Sequence, residues 1–411
     1  MVALEFDRVP PIAKYLSMVF LLSRLGSNTV WMFLPLFFEQ QIESVFLIGI
    51  MTSVPSIITI ILDIPMGNLV QRAGEKIVIF IGLLANLMPG LLYLTGIPIV
   101  LVLGKAFEGV VKSMIWNGGW SLSLQSADPE IESETSSIFL LGVNLAAIIG
   151  PVIGGLLIAS KGFDITFALW VFSAWLGALT FYLYVGLEGK NGFIESLEEL
   201  FHRKTYSDEY TDLKQNWSNL KLPLSLIFLY SILFSFFWLA VPLLLDKVGA
   251  SYIEMGIIFS IAAFPRIFQF MFGRLADQFG KLKLASILGL LITPILVSMS
   301  MFSSVYILGG LFLLARLLSS GLTPALHAFF DSRVPDELEG EFTGFLEFSK
   351  HSGQAIGPVM AGTAASIWSV NASFLAAAGV AMIFTVVCGT AAHLELSDLR
   401  ELEKTALSGN T

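Results

Sequence analysis

The chain contains two pairs of similar segments, and the members of each pair are separated by almost the same number of residues. The sequence GNLVQRAGEK at residues 67–76 is repeated as GRLADQFGK at 273–281, so that Gly67 and Gly273 lie 206 residues apart. The sequence GPVIGG at 150–155 returns as GPVMAG at 357–362, which is 207 residues later. Two different motifs that recur at one step indicate two copies of a single unit within the 411 residues.

Composition indicates that this unit lies in a membrane. Hydrophobic residues make up 55% of the chain, charged residues make up 13%, and the mean hydropathy is +0.79. Apolar runs of about 20 residues, the length of a transmembrane helix, follow one another without the period-two alternation of strands. Because backbone polar groups in hydrocarbon must be satisfied within the segment, such runs form helices. The sequence therefore predicts an all-α polytopic membrane protein.

We predict twelve transmembrane helices in two pseudo-symmetric six-helix halves. The spans lie near residues 15–38, 45–70, 77–96, 98–123, 135–159, 164–186, 223–245, 252–275, 282–302, 304–330, 341–367 and 371–394. The corresponding regions are an N-terminal half at 1–186, a central connection at 187–222, a C-terminal half at 223–394 and a tail at 395–411. Hydrophobic residues at helical spacing between Phe193 and Phe201 predict an interfacial helix in the connection, either a tether or a regulatory surface.

Lysine and arginine are distributed unequally between the two sides of this bundle. Of the 23 bases, fifteen fall on the side that holds both predicted termini, and only Lys161 and Lys247 fall on the other side. Because positive loops stay in the cytoplasm, we predict a multi-pass protein of the cell (inner or plasma) membrane with both termini cytoplasmic. The net charge of −9 argues against a nucleic-acid partner. Cys388 is the only cysteine, so we expect neither a disulfide framework nor a cysteine metal cluster. We also expect no other metal, no cofactor and a monomeric protein.

Charged residues inside the predicted spans indicate a polar cavity. A charge at the bilayer centre costs about 2.5–3.5 kcal/mol on insertion scales, so each one must line a cavity or have a partner. The bases are Arg24, Lys105, Lys112, Arg266, Arg316 and Lys350, and the acids at similar depth are Asp63, Glu108 and Glu347. Bases remain in surplus after local pairing, which predicts a cavity for an anion or a zwitterion. The alternative is that the charges only pair with one another to hold helices together.

The fourth helix concentrates several of these candidates. Lys105, Glu108 and Lys112 are spaced by three and four residues, so they share one face, and Glu108 is able to bridge either lysine. Amide and aromatic residues at helical spacing extend the candidate set, as an amphipathic binding wall or as ordinary packing. They are Asn28, Trp116, Asn117 and Trp120.

Ionisable residues in the eleventh helix predict a role in proton coupling. Glu347, Lys350 and His351 fall within one turn, whereas the positions one repeat earlier are not ionisable. A histidine titrates near neutral pH, and burial raises the pKa of a glutamate toward that range. The candidate proton carriers are Asp63, Glu108, Glu347 and His351. The alternatives are a structural histidine, and for Asp63 a partner for Arg24 or a wedge beside the following turn.

The repeated loops resemble a signature of the major facilitator superfamily, whose members are twelve-helix transporters made of two six-helix halves. In its form G-x-x-x-D-R-x-G-R-K, the signature lies between the second and third helices. The first copy has Gln71 in place of the acid and Glu75 in place of a base. The resemblance implies a conformational latch formed by Gly67, Arg72, Gly74, Gly273, Arg274, Asp277 and Gly280. Because Gln71 carries no charge, we expect the charged form of the latch in the second copy, and a plain turn is the alternative for both.

Two further segments resemble signatures of this family. Residues 146–155 are similar to its fifth-helix antiporter motif, with Ala146 in place of the first glycine. Small residues every fourth position allow close packing, and proline bends the helix. The resulting helix-packing motif is Gly150, Pro151, Gly154, Gly155, Gly353, Gly357, Pro358 and Gly362. Residues 105–109 are similar to its fourth-helix R-x-x-Q-G motif. The resemblance implies that the first, fourth, seventh and tenth helices line a central cavity, with Arg24, Lys105, Lys112 and Arg316 around it.

These observations predict a secondary active transporter that moves a small organic solute by alternating access. Proton-coupled efflux of a drug-like or anionic metabolite is the preferred form, with the lipid bilayer, the solute and protons as partners. The alternatives are a facilitator or importer of a small organic anion, and a transporter-like sensor that does not transport. The sequence contains no H-E-x-x-H, G-x-S-x-G or P-loop motif, so we predict that the protein is not an enzyme.

Overall fold

The computed structural model describes residues 8–128, 131–187, 204–334 and 339–408, and all regular structure in these ranges is helical. The first half contains α1 (Pro11–Glu39), α2 (Val45–Ala73), α3 (Glu75–Tyr93), α4 (Pro98–Gln125), α5 (Glu132–Lys161) and α6 (Asp164–Tyr184). The second half contains α7 (Lys204–Lys247), α8, α9 (Lys281–Met301), α10 (Val305–Asp331), α11 (Glu339–Ile367) and α12 (Val370–Ser408). Helix α8 runs as Tyr252–Ala263, a 3-10 turn at Phe264–Phe268, and Gln269–Phe279.

Ten of the twelve segments have the length and composition of membrane spans. Within the described ranges, nine helices are long and apolar enough to cross a bilayer, and α8 counts as a tenth with a bend of 54°. Its 3-10 turn contains Pro265, whose ring nitrogen cannot donate the helical hydrogen bond. The other two segments, α4 and α11, fall short because they carry charged side chains, among them Lys105 and Glu108 in α4 and Glu347 in α11. These two helices therefore need a polar environment within the bundle.

Two helices extend beyond their predicted limits. Helix α7 begins at Lys204 rather than near 223, and it continues through Pro223 into the membrane span. No glycine or proline between Lys204 and Lys221 stops this helix, and transmembrane helices tolerate an internal proline. Helix α12 continues to Ser408, through most of the predicted tail. The predicted interfacial helix between Phe193 and Phe201 lies outside the described residues.

The two halves are in close backbone contact where α5 meets α8. A Cβ atom at Gly155 would lie 2.3 Å from the backbone oxygen of Tyr252, and one at Gly256 would lie 2.5 Å from the backbone oxygen of Pro151. No real Cβ atom tolerates such distances, so the two backbones are in contact only because both positions lack a side chain.

The repeat generates the same contact between α2 and α11. A Cβ atom at Gly49 would lie 2.6 Å from the backbone oxygen of Pro358, and one at Gly362 would lie 2.8 Å from that of Val45. Gly49 and Pro358 are each 207 residues from Gly256 and Pro151. Two pseudo-symmetric glycine contacts therefore join the halves.

The opposite face of the same motif packs within each half. A Cβ atom at Gly154 would lie 1.6 Å from the backbone oxygen of Thr29 on α1, and one at Gly150 would lie 2.6 Å from the Cβ of Asn28. In the second half, Gly357 and Gly353 allow the same close packing of α11 against α7. A Cβ atom at Gly357 would lie 2.1 Å from Ser235 Oγ, and one at Gly353 would lie 2.4 Å from the backbone oxygen of Phe228. Helices α5 and α11 thus each contact their own half on one face and the other half on a second face.

The glycines of the repeated loops have two different roles. Gly74 alone joins α2 to α3 with φ of 94°, and Gly280 alone joins α8 to α9 with φ of 90°, a region that residues with side chains rarely adopt. At Gly67 no neighbouring helix approaches closely, since a Cβ atom there would meet nothing within 4 Å. At Gly273 the nearest atom is the Cβ of Pro324 at 4.0 Å. The turn is therefore what requires glycine in this conformation.

Aromatic side chains close the space between the halves toward one side. We call the side that holds the start of α1 the base-rich side and the opposite side the base-poor side. The ring of Phe33 lies 5.3 Å from that of Phe259, and the ring of Trp31 lies 5.2 Å from that of Trp238, centre to centre. With Phe312, whose ring is 6.4 Å from Phe259, these residues form an aromatic layer on the base-poor side of the middle of the bundle.

We predict that Gly155→Ala destabilises the contact between the halves by about 1–3 kcal/mol, the usual cost of overpacking, and lowers the thermal midpoint of the solubilised protein. Gly310→Ala is the matched control, because a Cβ atom at that helical position meets nothing within 4 Å. Equal midpoints for the two variants would show that the α5–α8 contact is not required.

Candidate functional site

A cavity of about 410 Å³ lies between the halves, lined by the middle portions of helices from both. The predicted residues in its lining are Arg24, Asn28, Lys105, Glu108, Lys112, Trp116, Arg316, Glu347 and His351. Three predicted residues are not among the lining residues of the described chain, namely Asp63, Asn117 and Trp120. The ring of Trp120 packs against Phe139 at 6.0 Å, and the side chain of Asn117 lies near Asp63. The cavity therefore brings α1, α4, α10 and α11 together.

Glu108 joins Lys105 rather than Lys112. The Lys105 Nζ lies 3.1 Å from Glu108 Oε1, and both side chains are at least 90% buried. The hydroxyl of Tyr93 on α3 donates a hydrogen bond to the same carboxylate. With a lysine and a phenol as partners, Glu108 has little capacity left for a ligand. For Lys105 and Glu108, the alternative that buried charges pair with one another to hold helices together therefore fits the structure.

A second polar group connects the halves directly. The Nδ1 of His351 on α11 lies 2.8 Å from Asp63 Oδ2 on α2, and the Ser113 hydroxyl on α4 donates to Asp63 Oδ1 at 2.8 Å. The Nε2 of His351 lies 3.7 Å from Glu347 Oε2 on its own helix. Arg24 is therefore not the partner of Asp63, because the carboxylate is already held by groups of α4 and α11.

The remaining lysines of the cavity are also in contact with polar groups. Lys350 donates to both carboxylate oxygens of Glu347 at 2.7 Å, one turn away on α11. The Lys112 Nζ donates to Gln354 Oε1 at 3.3 Å, which is a second contact across the halves. Lys112 thus reaches an amide instead of a carboxylate.

Three arginines of the cavity have no acidic neighbour among the described residues, and two of them lie beside an aromatic ring. We call Arg24, Arg266 and Arg316 the arginine cluster. Within the described ranges, no carboxylate oxygen lies within 4.0 Å of any of the three. The guanidinium carbon of Arg316 lies 4.6 Å from the ring centre of Phe234, and that of Arg24 lies 5.9 Å from Phe20. Aromatic faces attract a cation more weakly than a carboxylate does, so the cluster remains available to an anion.

Sequence reasoning did not identify several residues of the site. Tyr93 lies at the end of α3, and no spacing rule connects it to Glu108 on α4. Gln354 is three residues after His351, and this helical spacing is a signal that was available. Trp238 and Phe259 join the cavity only because the two halves meet, which a pattern within one helix does not reveal.

The chain matches a known protein family in both of its halves. The family model described as Major Facilitator Superfamily matches residues 16–223 and again 223–404. The chain belongs to the major facilitator superfamily. The two matches correspond to the two halves, and membership makes the protein a multi-pass membrane transporter of small solutes rather than an enzyme. No curated protein matches the chain.

Solved structures share the fold at low sequence identity. A bacterial homolog of the human lysosomal transporter Spinster, inward-facing and unoccupied, has a TM-score of 0.77 at 13% identity, covering 94% of this chain and 97% of its own. A variant of the nucleoside transporter NupG has a TM-score of 0.74 at 13% identity, with coverage of 92% and 99%. The human organic anion transporter MFSD10 has a TM-score of 0.67 at 16% identity, with coverage of 92% and 100%. These likenesses show the fold alone.

We predict that Glu108→Gln destabilises the protein by about 3–5 kcal/mol, because Lys105 is left buried without a carboxylate. In the double variant Lys105→Met with Glu108→Gln, most of this loss should be recovered, since no unpaired charge remains. Thermal midpoints of the solubilised variants measure both effects. The control is Glu395→Gln, which changes an exposed carboxylate paired with Arg333. A double variant less stable than Glu108→Gln would contradict this account of the pair.

Proposed function

We propose that this transporter carries a small organic anion through the cavity between its halves by alternating access. The observation that supports this proposal is the arginine cluster, three guanidinium groups of the cavity without a carboxylate within 4.0 Å in the described chain. A guanidinium group binds carboxylate or phosphate oxygens through paired hydrogen bonds. An anionic solute therefore supplies the partner that the protein itself does not.

The size and charge of the cavity favour such a solute. A volume of about 410 Å³ falls in the range of small-molecule sites. Glu108 and Glu347 are each paired with a lysine, and Asp63 is held by His351 and Ser113. A cationic solute would have to displace one of these contacts, whereas an anion displaces none.

Fold similarity does not select the solute. The structural neighbours include a nucleoside transporter and an organic anion transporter, and one fold commonly serves unrelated ligands. The chemistry of the cavity must therefore decide. From the distribution of bases we also infer that the base-rich side faces the cytoplasm. We infer export as the preferred direction from the antiporter-like motif on α5.

We predict that Arg316→Gln weakens binding of an anionic substrate by about 10- to 100-fold, the loss expected for a charge-assisted hydrogen bond of 1.5–3 kcal/mol. Anion flux into proteoliposomes and the substrate Kd measure the effect. Arg333→Gln is the matched control, because Arg333 is exposed and paired with Glu395. If both variants bind and transport like the parent, the arginine cluster does not hold the substrate.

We further propose that protons drive this exchange through the link between Asp63 and His351. His351 faces Asp63 on α2, Glu347 and Lys350 on α11 and Lys112 on α4, so several ionisable groups meet where the halves touch. A proton gained or lost here changes the contact between α2 and α11. Such a change biases the equilibrium between conformations, as coupling requires.

We predict that Glu347→Gln shifts the pH dependence of exchange, because the variant removes the carboxylate next to both Lys350 and His351. Exchange rates in proteoliposomes across a pH series measure the shift, with Glu395→Gln as the control. Coincident profiles for Glu347→Gln and the parent would mean that Glu347 is not the carrier.

The same proteoliposomes distinguish the alternative functions. A proton-coupled exporter concentrates the anion against its gradient only when a pH gradient is imposed. A facilitator equilibrates the anion with or without that gradient. A sensor binds the anion, as shown by a raised thermal midpoint, and moves none of it. The behaviour of a facilitator or of a sensor would contradict the proposed proton coupling.

A further inference from the structure

We propose that the substrate carries at least two negative charges on one end and an aromatic or similarly flat apolar body on the other. This inference rests on the proposed function and makes it more specific. It depends on two features of the cavity, the number of arginines that converge in it and the position of the aromatic layer relative to them.

The arginine cluster is assembled from both halves. Arg24 lies on α1 of the first half, whereas Arg266 and Arg316 lie on α8 and α10 of the second. All three side chains line the cavity between the halves. Three like charges are therefore brought together at the surface where the halves meet, and an anion bound among them joins the halves.

The charge of this region exceeds what one negative charge balances. The carboxylates of the cavity already have partners, Lys105 for Glu108 and Lys350 for Glu347. Asp63 is bound to His351 and Ser113. A monoanion leaves two of the three guanidinium groups without a compensating charge. A dianionic group, with more acceptor oxygens, compensates more of the repulsion and accepts bonds from guanidinium groups of both halves.

The aromatic layer lies directly beyond the arginines on the base-poor side. Trp31 follows Arg24 by seven residues on α1, Phe259 precedes Arg266 by seven on α8, and Phe312 precedes Arg316 by four on α10. At 1.5 Å of rise per residue, the rings stand roughly 6–10 Å from the arginines along the bundle axis. All three helices place the aromatic residue on the same side, because α1 runs in the direction opposite to α8 and α10.

This order of layers defines the two ends of the ligand. Trp31, Trp238, Phe259 and Phe312 all line the cavity, so their faces and edges are available to a solute. Aromatic rings pack favourably against one another in edge-to-face or offset arrangements. The separation of the layers matches one ring with its attached head group, so the anionic group contacts the arginines while the ring contacts the aromatic layer.

Three probes at pH 8 test this proposal with the purified full-length protein. Phenyl phosphate is a dianion there, since the second pKa of a phosphate monoester is about 6. Benzenesulfonate has the same ring and a tetrahedral head group with a single charge. Inorganic phosphate has the charge without the ring. We expect phenyl phosphate to bind about tenfold or more tightly than either of the others, by calorimetry and by thermal stabilisation.

Two variants connect the preference to the cluster. Arg266→Gln should reduce the preference for phenyl phosphate over benzenesulfonate several-fold, whereas Arg266→Lys, which keeps the charge, should retain most of it. Arg333→Gln should leave it unchanged. Thermal midpoints without ligand verify that each variant is folded.

Each outcome separates this inference from the proposed function. Benzenesulfonate that binds as tightly as phenyl phosphate overturns the requirement for two charges and leaves organic anion transport intact. Inorganic phosphate that binds equally well overturns the requirement for an apolar body. If none of the three anions binds and a cationic or neutral aromatic solute does, the proposed function is itself wrong.

Discussion

The cost of placing charge in hydrocarbon determines how this bundle is organised. Six bases lie within membrane segments, and each requires either a partner or water. Lys105 and Lys350 meet this requirement with a glutamate on their own helix, and Lys112 does so with an amide of the other half. The three arginines do so only by facing a cavity. Helices α4 and α11, the two that do not meet the criteria for a membrane span, lie beside the space between the halves, and their charged side chains line the cavity.

Glycine contacts keep this charged space compatible with movement. Where α5 meets α8 and α2 meets α11, backbone touches backbone without interlocking side chains. Large side chains that interdigitate must repack when helices slide, whereas a flat glycine surface offers little resistance. The contacts lie toward the base-poor side, at Gly155 near the end of α5 and Gly49 near the start of α2. The halves are thus held together at one side of the bundle.

Much of the fold could be predicted from the sequence, because the apolar runs are local and the packing motifs are repeated. Apolar runs located all twelve segments, and the step of 207 residues related the two packing motifs before any contact was known. The sequence was less informative about which charged side chains of the site pair with one another. The spacing within α4 allowed Glu108 to pair with either Lys105 or Lys112. In the structure it pairs with Lys105 and also accepts a hydrogen bond from Tyr93 on α3. Asp63 and His351 are 288 residues apart, and no periodicity connects them. Charge surplus is a property of composition, whereas partner choice depends on how helices are rotated and bent.

The link between Asp63 and His351 also breaks the symmetry that the repeat establishes. One repeat step from Asp63 lies Phe270, and one step from His351 lies Asn144, so the equivalent positions on α8 and α5 contain no ionisable group. Under the proposed coupling, a proton transferred to or from this link would change the α2–α11 contact and leave the α5–α8 contact as it was. We therefore expect unequal roles for two interfaces with almost identical glycine packing, with α2–α11 responding to protonation and α5–α8 acting as the hinge. Because Lys112 contacts Gln354 across the halves next to this link, we expect the same movement to alter the wall of the proposed anion site.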